Sequence, residues 1–256
     1  MLMKSIMHAD INPRSGSRPA FTLAPSLDAE EFAGRFAETG RVQISTFLGP
    51  GGAEGLSAHL RLRDDWRLVV NSGEKVFELD RATRSTMTAE QVQALDDAVY
   101  AGARGGFQYR YETIPVPDGA RDSEDMLTSF ANFLSAGSAR AFLRKVTGQP
   151  SIAFADAQAT AYSPGDFLTG HDDEVEGKSR LAAYVFSLSP GWRVEWGGLL
   201  LFHGHDGRVE GSSPRFGALN IFSVPQVHSV SMVTRAASLR RYSITGWLRA
   251  GEEGPR

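Results

Sequence analysis

From Ser151 onward this chain loses helical periodicity and breaks into short β-rich runs separated by Gly, Pro and Asp. Upstream the pattern is mixed. Ser26, followed by Asp28, Glu30 and Glu31, reads as a helix N-cap with an acidic first turn, stopped by Gly40. Residues 41–47 alternate as a strand, Pro50-Gly51-Gly52 opens a second helix, and residues 66–70 read as another strand. Thr88 and Gln91 form a capping-box pattern for a helix running to about Ala101, where Gly102, Gly105 and Gly106 break it. Phe107, Tyr109 and Tyr111 then alternate along a strand, and residues 123–134 and 138–146 suggest two further helices. Residues 114–125 read as an exposed loop, either a lid or a plain connection. The expectation is an α+β chain with a β core from its C-terminal half and supporting helices mostly from its N-terminal half. A soft boundary near residue 150 divides an elaboration (21–150) from the core (151–250), with a mobile start (1–20) and a short tail (251–256).

With 256 residues the chain can bury a substantial core, and a net charge of -3 argues against nucleic acid as a bulk partner or an anionic membrane surface. The absence of cysteine excludes disulfides, thiolate catalysis and cysteine-bound metal. Any metal must therefore rely on His, Asp and Glu, which suits Fe(II) or Mn(II). Residues 1–18 lack an apolar stretch of signal-peptide length and no later segment approaches membrane-spanning length, so a cytoplasmic protein is expected.

The chemistry concentrates in His171-Asp172-Asp173 and a distant His228. On an extended strand His171 and Asp173 would project together while Asp172 points away. His228, arriving from a separate strand, would complete a two-histidine, one-carboxylate triad that leaves positions open, as non-haem Fe(II) oxygenases require. In the final strand, period two places Arg241, Ser243, Thr245 and Trp247 on one face, so a guanidinium and a hydroxyl can grip one carboxylate together. Arg240 would point away as a surface or supporting charge. H-x-D alone is a weak pattern, and His203-Gly204-His205-Asp206 offers a competing one, although Asp206-Gly207 marks an exposed hairpin turn there. Gly197-Gly198 with Trp192 and Trp196 could shape the mouth of a site, Arg180 could meet an acidic or carbonyl group, and Asp172, Glu174 and Glu176 read as a solvated acidic loop.

The context of these residues is Tyr162-Ser163-Pro164-Gly165-Asp166-Phe167-Leu168, then residues 180–188, Trp196-Gly197-Gly198-Leu199 and Arg241-Tyr242-Ser243-Ile244-Thr245-Gly246-Trp247. Together they resemble the 2-oxoglutarate/Fe(II) dioxygenases, specifically the prolyl-hydroxylase-like branch, most specifically over residues 155–249. The interval from His228 to Arg241 suits relatives of the ribosomal-protein prolyl hydroxylases. The resemblance implies a double-stranded β-helix, a jelly-roll-like barrel with the metal at its mouth. It implies Fe(II) held by His171, Asp173 and His228, O2, and 2-oxoglutarate as cosubstrate held by Arg241, Ser243 and Tyr162. For Tyr162 an aromatic packed in the barrel is the other reading. The implied reaction hydroxylates an unactivated C–H of a prolyl residue in a protein or peptide, with release of succinate and CO2. A free amino acid or other small-molecule substrate remains open, as does a non-catalytic β-barrel that binds a metal or ligand.

Overall fold

The computed structural model describes residues 21–117 and 124–251. The expected mobile start, most of the tail and the centre of the 114–125 loop lie outside the described residues. The first half runs α1 (Ala29–Thr39), β1 (Arg41–Ile44), α2 (Gly52–Leu62), β2 (Arg67–Ser72), β3 (Lys75–Asp80), α3 (Arg81–Ser85), α4 (Ala89–Gly105), β4 (Tyr109–Pro115), α5 (Met126–Leu134) and α6 (Gly137–Thr147). The second half is β5 (Ile152–Ala155), β6 (Gln158–Tyr162), β7 (Phe167–His171), β8 (Arg180–Ser187), β9 (Leu200–His203), β10 (Val209–Ser212), β11 (Leu219–Ser223), β12 (His228–Val230) and β13 (Arg241–Ala250). All six α-helices of the described residues precede residue 148.

Helix ends follow from local chemistry, with some corrections. Asp28, not Ser26, caps α1, its carboxylate accepting from the Glu30 amide at 2.9 Å. Gly40 ends that helix at φ +69°, a conformation glycine reaches without a Cβ clash. The Thr88–Gln91 capping box is present, but α4 continues through Gly102 to Gly105. Gly102 is an accommodation and not a breaker, since a Cβ there would lie 2.1 Å from the Gln108 side chain. β3 and α3 were absent from the sequence reading.

The strands form one curled antiparallel sheet ordered β1-β11-β8-β13-β6-β4-β7-β12-β9-β10, with β2, β3 and β5 off that path. An ion pair between Arg41 on β1 and Glu210 on β10 links the two ends of the path. This is a double-stranded β-helix in an α+β fold. One face packs on the helices: Ala159, Ala161, Phe186, Ile221 and Ile244 meet Leu56, Leu60, Phe130, Leu134 and Leu143, all buried. The period-two alternation of the strands turns the intervening residues, Tyr111, Thr160, Tyr162, Val185, Phe222, Arg241 and Trp247, toward a cavity on the other face.

Candidate metal centre and cosubstrate pocket

The cavity has a volume of about 370 Å³, and His171, Asp173, His228 and Arg241 are in its wall. β7 and β12 are hydrogen-bonded neighbours with His171 opposite His228, so sheet register brings the two imidazoles together, ring centres 4.2 Å apart. Asp173 arrives differently from the alternation argument. β7 ends at His171, and Asp173 adopts φ +65°, a left-handed turn that swings its carboxylate back over the strand end. Asp173 Oδ1 lies 3.4 Å from His171 Nε2, and Oδ2 lies 3.5 Å from His228 Nε2. One donor atom from each residue falls within 4.8 Å of the others, and among the described residues no other such group of His and carboxylates occurs.

Both imidazoles are oriented in the same way. His171 Nδ1 lies 3.0 Å from the Thr169 carbonyl and His228 Nδ1 lies 2.9 Å from the Gln226 carbonyl. A carbonyl can only accept, so each Nδ1 carries the proton and each Nε2 lone pair faces the shared centre, the arrangement a metal needs. Burial, reinforced by His171, pushes the His228 pKa down to about 4, which keeps that ring neutral. Burial alone would raise the Asp173 pKa. The adjacent His171 and His228 rings outweigh it and leave the carboxyl below the usual range.

Arg241 is the most unusual residue of the pocket. It is 2 % exposed, and its Nε has no hydrogen-bond partner. Its Nη1 donates to Ser243 Oγ at 3.1 Å, which in turn lies 2.9 Å from Thr160 Oγ1 on β6. Its guanidinium sits 5.1 Å from the ring centre of Tyr162, which stacks on Tyr111 at 5.1 Å. Burial lowers the Arg241 pKa, with Tyr162 opposing. A buried cation with unmatched donors is costly unless an anion completes it, and a planar guanidinium fits a carboxylate. The donor set around Asp173 suits a divalent metal and Arg241 suits the far carboxylate of a dicarboxylic acid, so the residues present fit Fe(II) and 2-oxoglutarate.

The remaining expectations divide. Arg240 does point away from Arg241, but it is no surface charge: it pairs with the buried Glu112. Gly198, at φ +63°, lets the backbone approach Arg241 closely, since a Cβ there would lie 2.8 Å from Arg241 Cδ. Trp192 packs behind that glycine, its indole donating to the Gly197 carbonyl at 2.9 Å, and does not line the cavity. His203 engages Ser229 and His205 sits in the exposed turn, so the competing H-x-H pattern gathers no metal site. Arg180 lines the pocket and donates to the Asp173 carbonyl at 2.8 Å. Thr160 and Tyr111 were overlooked, although each lies on the inward face of an alternating strand.

Residues 157–249 match the 2OG-Fe(II) oxygenase superfamily. Mouse (Mus musculus) prolyl 3-hydroxylase OGFOD1 is 34% identical over 119 residues, covering 42% of this chain and 21% of that protein. The Xenopus laevis counterpart is 33% identical over 116 residues, so the chain spans about a fifth of the length of these curated relatives. A prolyl-4-hydroxylase structure from Pseudomonas putida is similar with a TM-score of 0.60 at 18% identity, covering 88% of this chain and 100% of that one. A Trichoplax adhaerens prolyl hydroxylase in complex with a hypoxia inducible factor peptide gives 0.57 at 16% identity, over 88% of this chain and 90% of that one. At such identities the likeness is one of fold. The triad, Arg241 and Ser243 all lie inside the segment that matches the 2OG-Fe(II) oxygenase superfamily, a family that uses Fe(II), 2-oxoglutarate and O2.

Proposed function

We propose that the protein is an Fe(II)- and 2-oxoglutarate-dependent dioxygenase that hydroxylates an unactivated C–H of a prolyl residue in a protein or peptide. The observation that carries this reading is Arg241, a buried and incompletely paired guanidinium in the same cavity as the triad. A non-catalytic barrel has no use for both. In this reading His171, Asp173 and His228 hold the metal while Arg241 and Ser243 hold the far carboxylate of the cosubstrate. When bound, Fe(II) and 2-oxoglutarate together supply O2 activation coupled to oxidative decarboxylation, with release of succinate and CO2. The chain's own work is orientation and exclusion of water. The two Nδ1-to-carbonyl contacts fix both imidazoles, Thr160 fixes Ser243, and Tyr162 offers its ring face to the guanidinium.

A peptide substrate is favoured over a free amino acid by the rim. Phe107 and Val175 line the cavity yet remain exposed, so the site opens onto an apolar surface where a chain can continue past the reacting residue. The relatives named prolyl hydroxylases support the same choice.

Anaerobic titration of metal-free protein with Fe(II) and then 2-oxoglutarate tests the site without a substrate. A visible metal-to-ligand charge-transfer band that is lost in His171→Ala is expected; its absence in folded wild-type protein would refute the assignment. The substrate is tested by comparing cellular proteins with and without the active enzyme for hydroxylated proline by mass spectrometry, where no enzyme-dependent site would remove the prolyl reading.

A further inference from the structure

Asp173 is the one triad member that no strand holds. It lies beyond the end of β7 in a left-handed conformation that a side chain disfavours, so something else must maintain it. Two residues from different strands converge there. Arg180, which opens β8, donates from Nη1 to the Asp173 backbone carbonyl at 2.8 Å. Its guanidinium lies 3.5 Å from the ring centre of Trp247 on β13, close enough for face-on cation–π stacking. Trp247 is itself fixed through its backbone amide, which donates to Asp156 Oδ1 at 2.6 Å. Its indole Nε1 is shielded from solvent and makes no hydrogen bond of normal geometry. Trp247 and Asp173 both line the cavity and are joined through Arg180, whose guanidinium touches each of them.

We infer that Arg180 and Trp247 are positioning residues that together clamp Asp173 in its ligating orientation. Arg180 fixes the backbone of the turn. Trp247 fixes the side chain, because a carboxylate that binds a metal through one oxygen leaves the other free to accept the indole N–H. Such a bond would satisfy a buried donor now without a partner, and partners of this kind orient ligands and strengthen metal binding. This inference rests on the reading that His171, Asp173 and His228 hold a divalent metal.

The test measures Mn(II) binding to the full chain, free Mn(II) being counted by its electron paramagnetic resonance signal. Trp247→Phe retains the ring and the stack but removes the N–H; Arg180→Met retains the stem but removes the donor. Each is expected to weaken Mn(II) binding at least threefold, and on the order of tenfold, as supporting partners of metal ligands do. At saturating metal, 2-oxoglutarate affinity should stay near the wild-type value, which general loosening of the fold would not allow. Mn(II) affinity changed less than threefold in either variant would overturn the clamp, as would loss of cosubstrate affinity in step with metal affinity. His171→Ala separates the two readings. If it binds Mn(II) as wild type does, the metal assignment itself fails; if it loses Mn(II) while the clamp variants keep theirs, only the clamp fails.

Discussion

Arg241 carries more of the functional argument than any other side chain. Along β13, Ser243 lies on the same face and accepts from its guanidinium, while Tyr242 and Ile244 turn to the helices. Replacing it with alanine should weaken 2-oxoglutarate at least tenfold, or about 1.4 kcal/mol, because a charge-assisted pair is lost. Metal affinity should hardly change. Titration of the charge-transfer band checks the first expectation and Mn(II) binding the second. Gly198 makes a less obvious case. An alanine there must adopt φ +63° and place its Cβ against Arg241 Cδ, Val233 and Trp192 at 2.8, 3.2 and 3.4 Å. Gly198→Ala should therefore lower 2-oxoglutarate affinity without touching a ligand atom; wild-type affinity in this variant would mean that the guanidinium moves freely.

Among the elements, β8 and α5 meet through a buried aromatic pair. Phe186 and Phe130 are both fully buried and stack at 5.1 Å, with Phe47 a further contact of Phe186 at 6.2 Å. Phe186→Ala should destabilise the fold by roughly 3–5 kcal/mol, read as a lower urea midpoint. Most helices were legible in sequence, because their caps and stop glycines are local signals. The site was legible too, but for a reason that was partly mistaken. His171 and Asp173 do meet, through a left-handed turn and not through strand alternation, and a sequence carries no direct sign of a positive φ at an aspartate. β3 escaped notice because Val76, Phe77 and Glu78 are all exposed, so no buried face imposes a pattern. α4 outran its expected end because Gly102 answers to Gln108, a partner defined only by the folded chain.

In the molecule as a whole, a buried charge network centres on Asp166. Arg110 Nε donates to Asp166 Oδ1 at 2.8 Å, and Asp166 Oδ2 accepts from the Ser163 amide at 2.7 Å, bracing the turn between β6 and β7. Burial raises the Asp166 pKa to about 6, against the opposing pull of the Ser163 amide and Arg110. In this window the native state binds the proton more tightly than the unfolded chain, so the contribution is complete below about pH 4 and is lost as pH rises through about 6. Asp166→Asn should remove that downward slope from the stability profile whatever its effect on absolute stability, and urea midpoints taken across the interval would reveal it. The sheet order has a consequence of another kind. β13, near the C-terminal end of the sequence, lies between β8 and β6 in the middle of the sheet, and it carries Arg241. During synthesis His171, Asp173 and His228 all precede this strand, which must insert between two strands already made. A nascent core therefore lacks Arg241 until its other strands have been made, and the proposed cosubstrate grip is the part of the core supplied last.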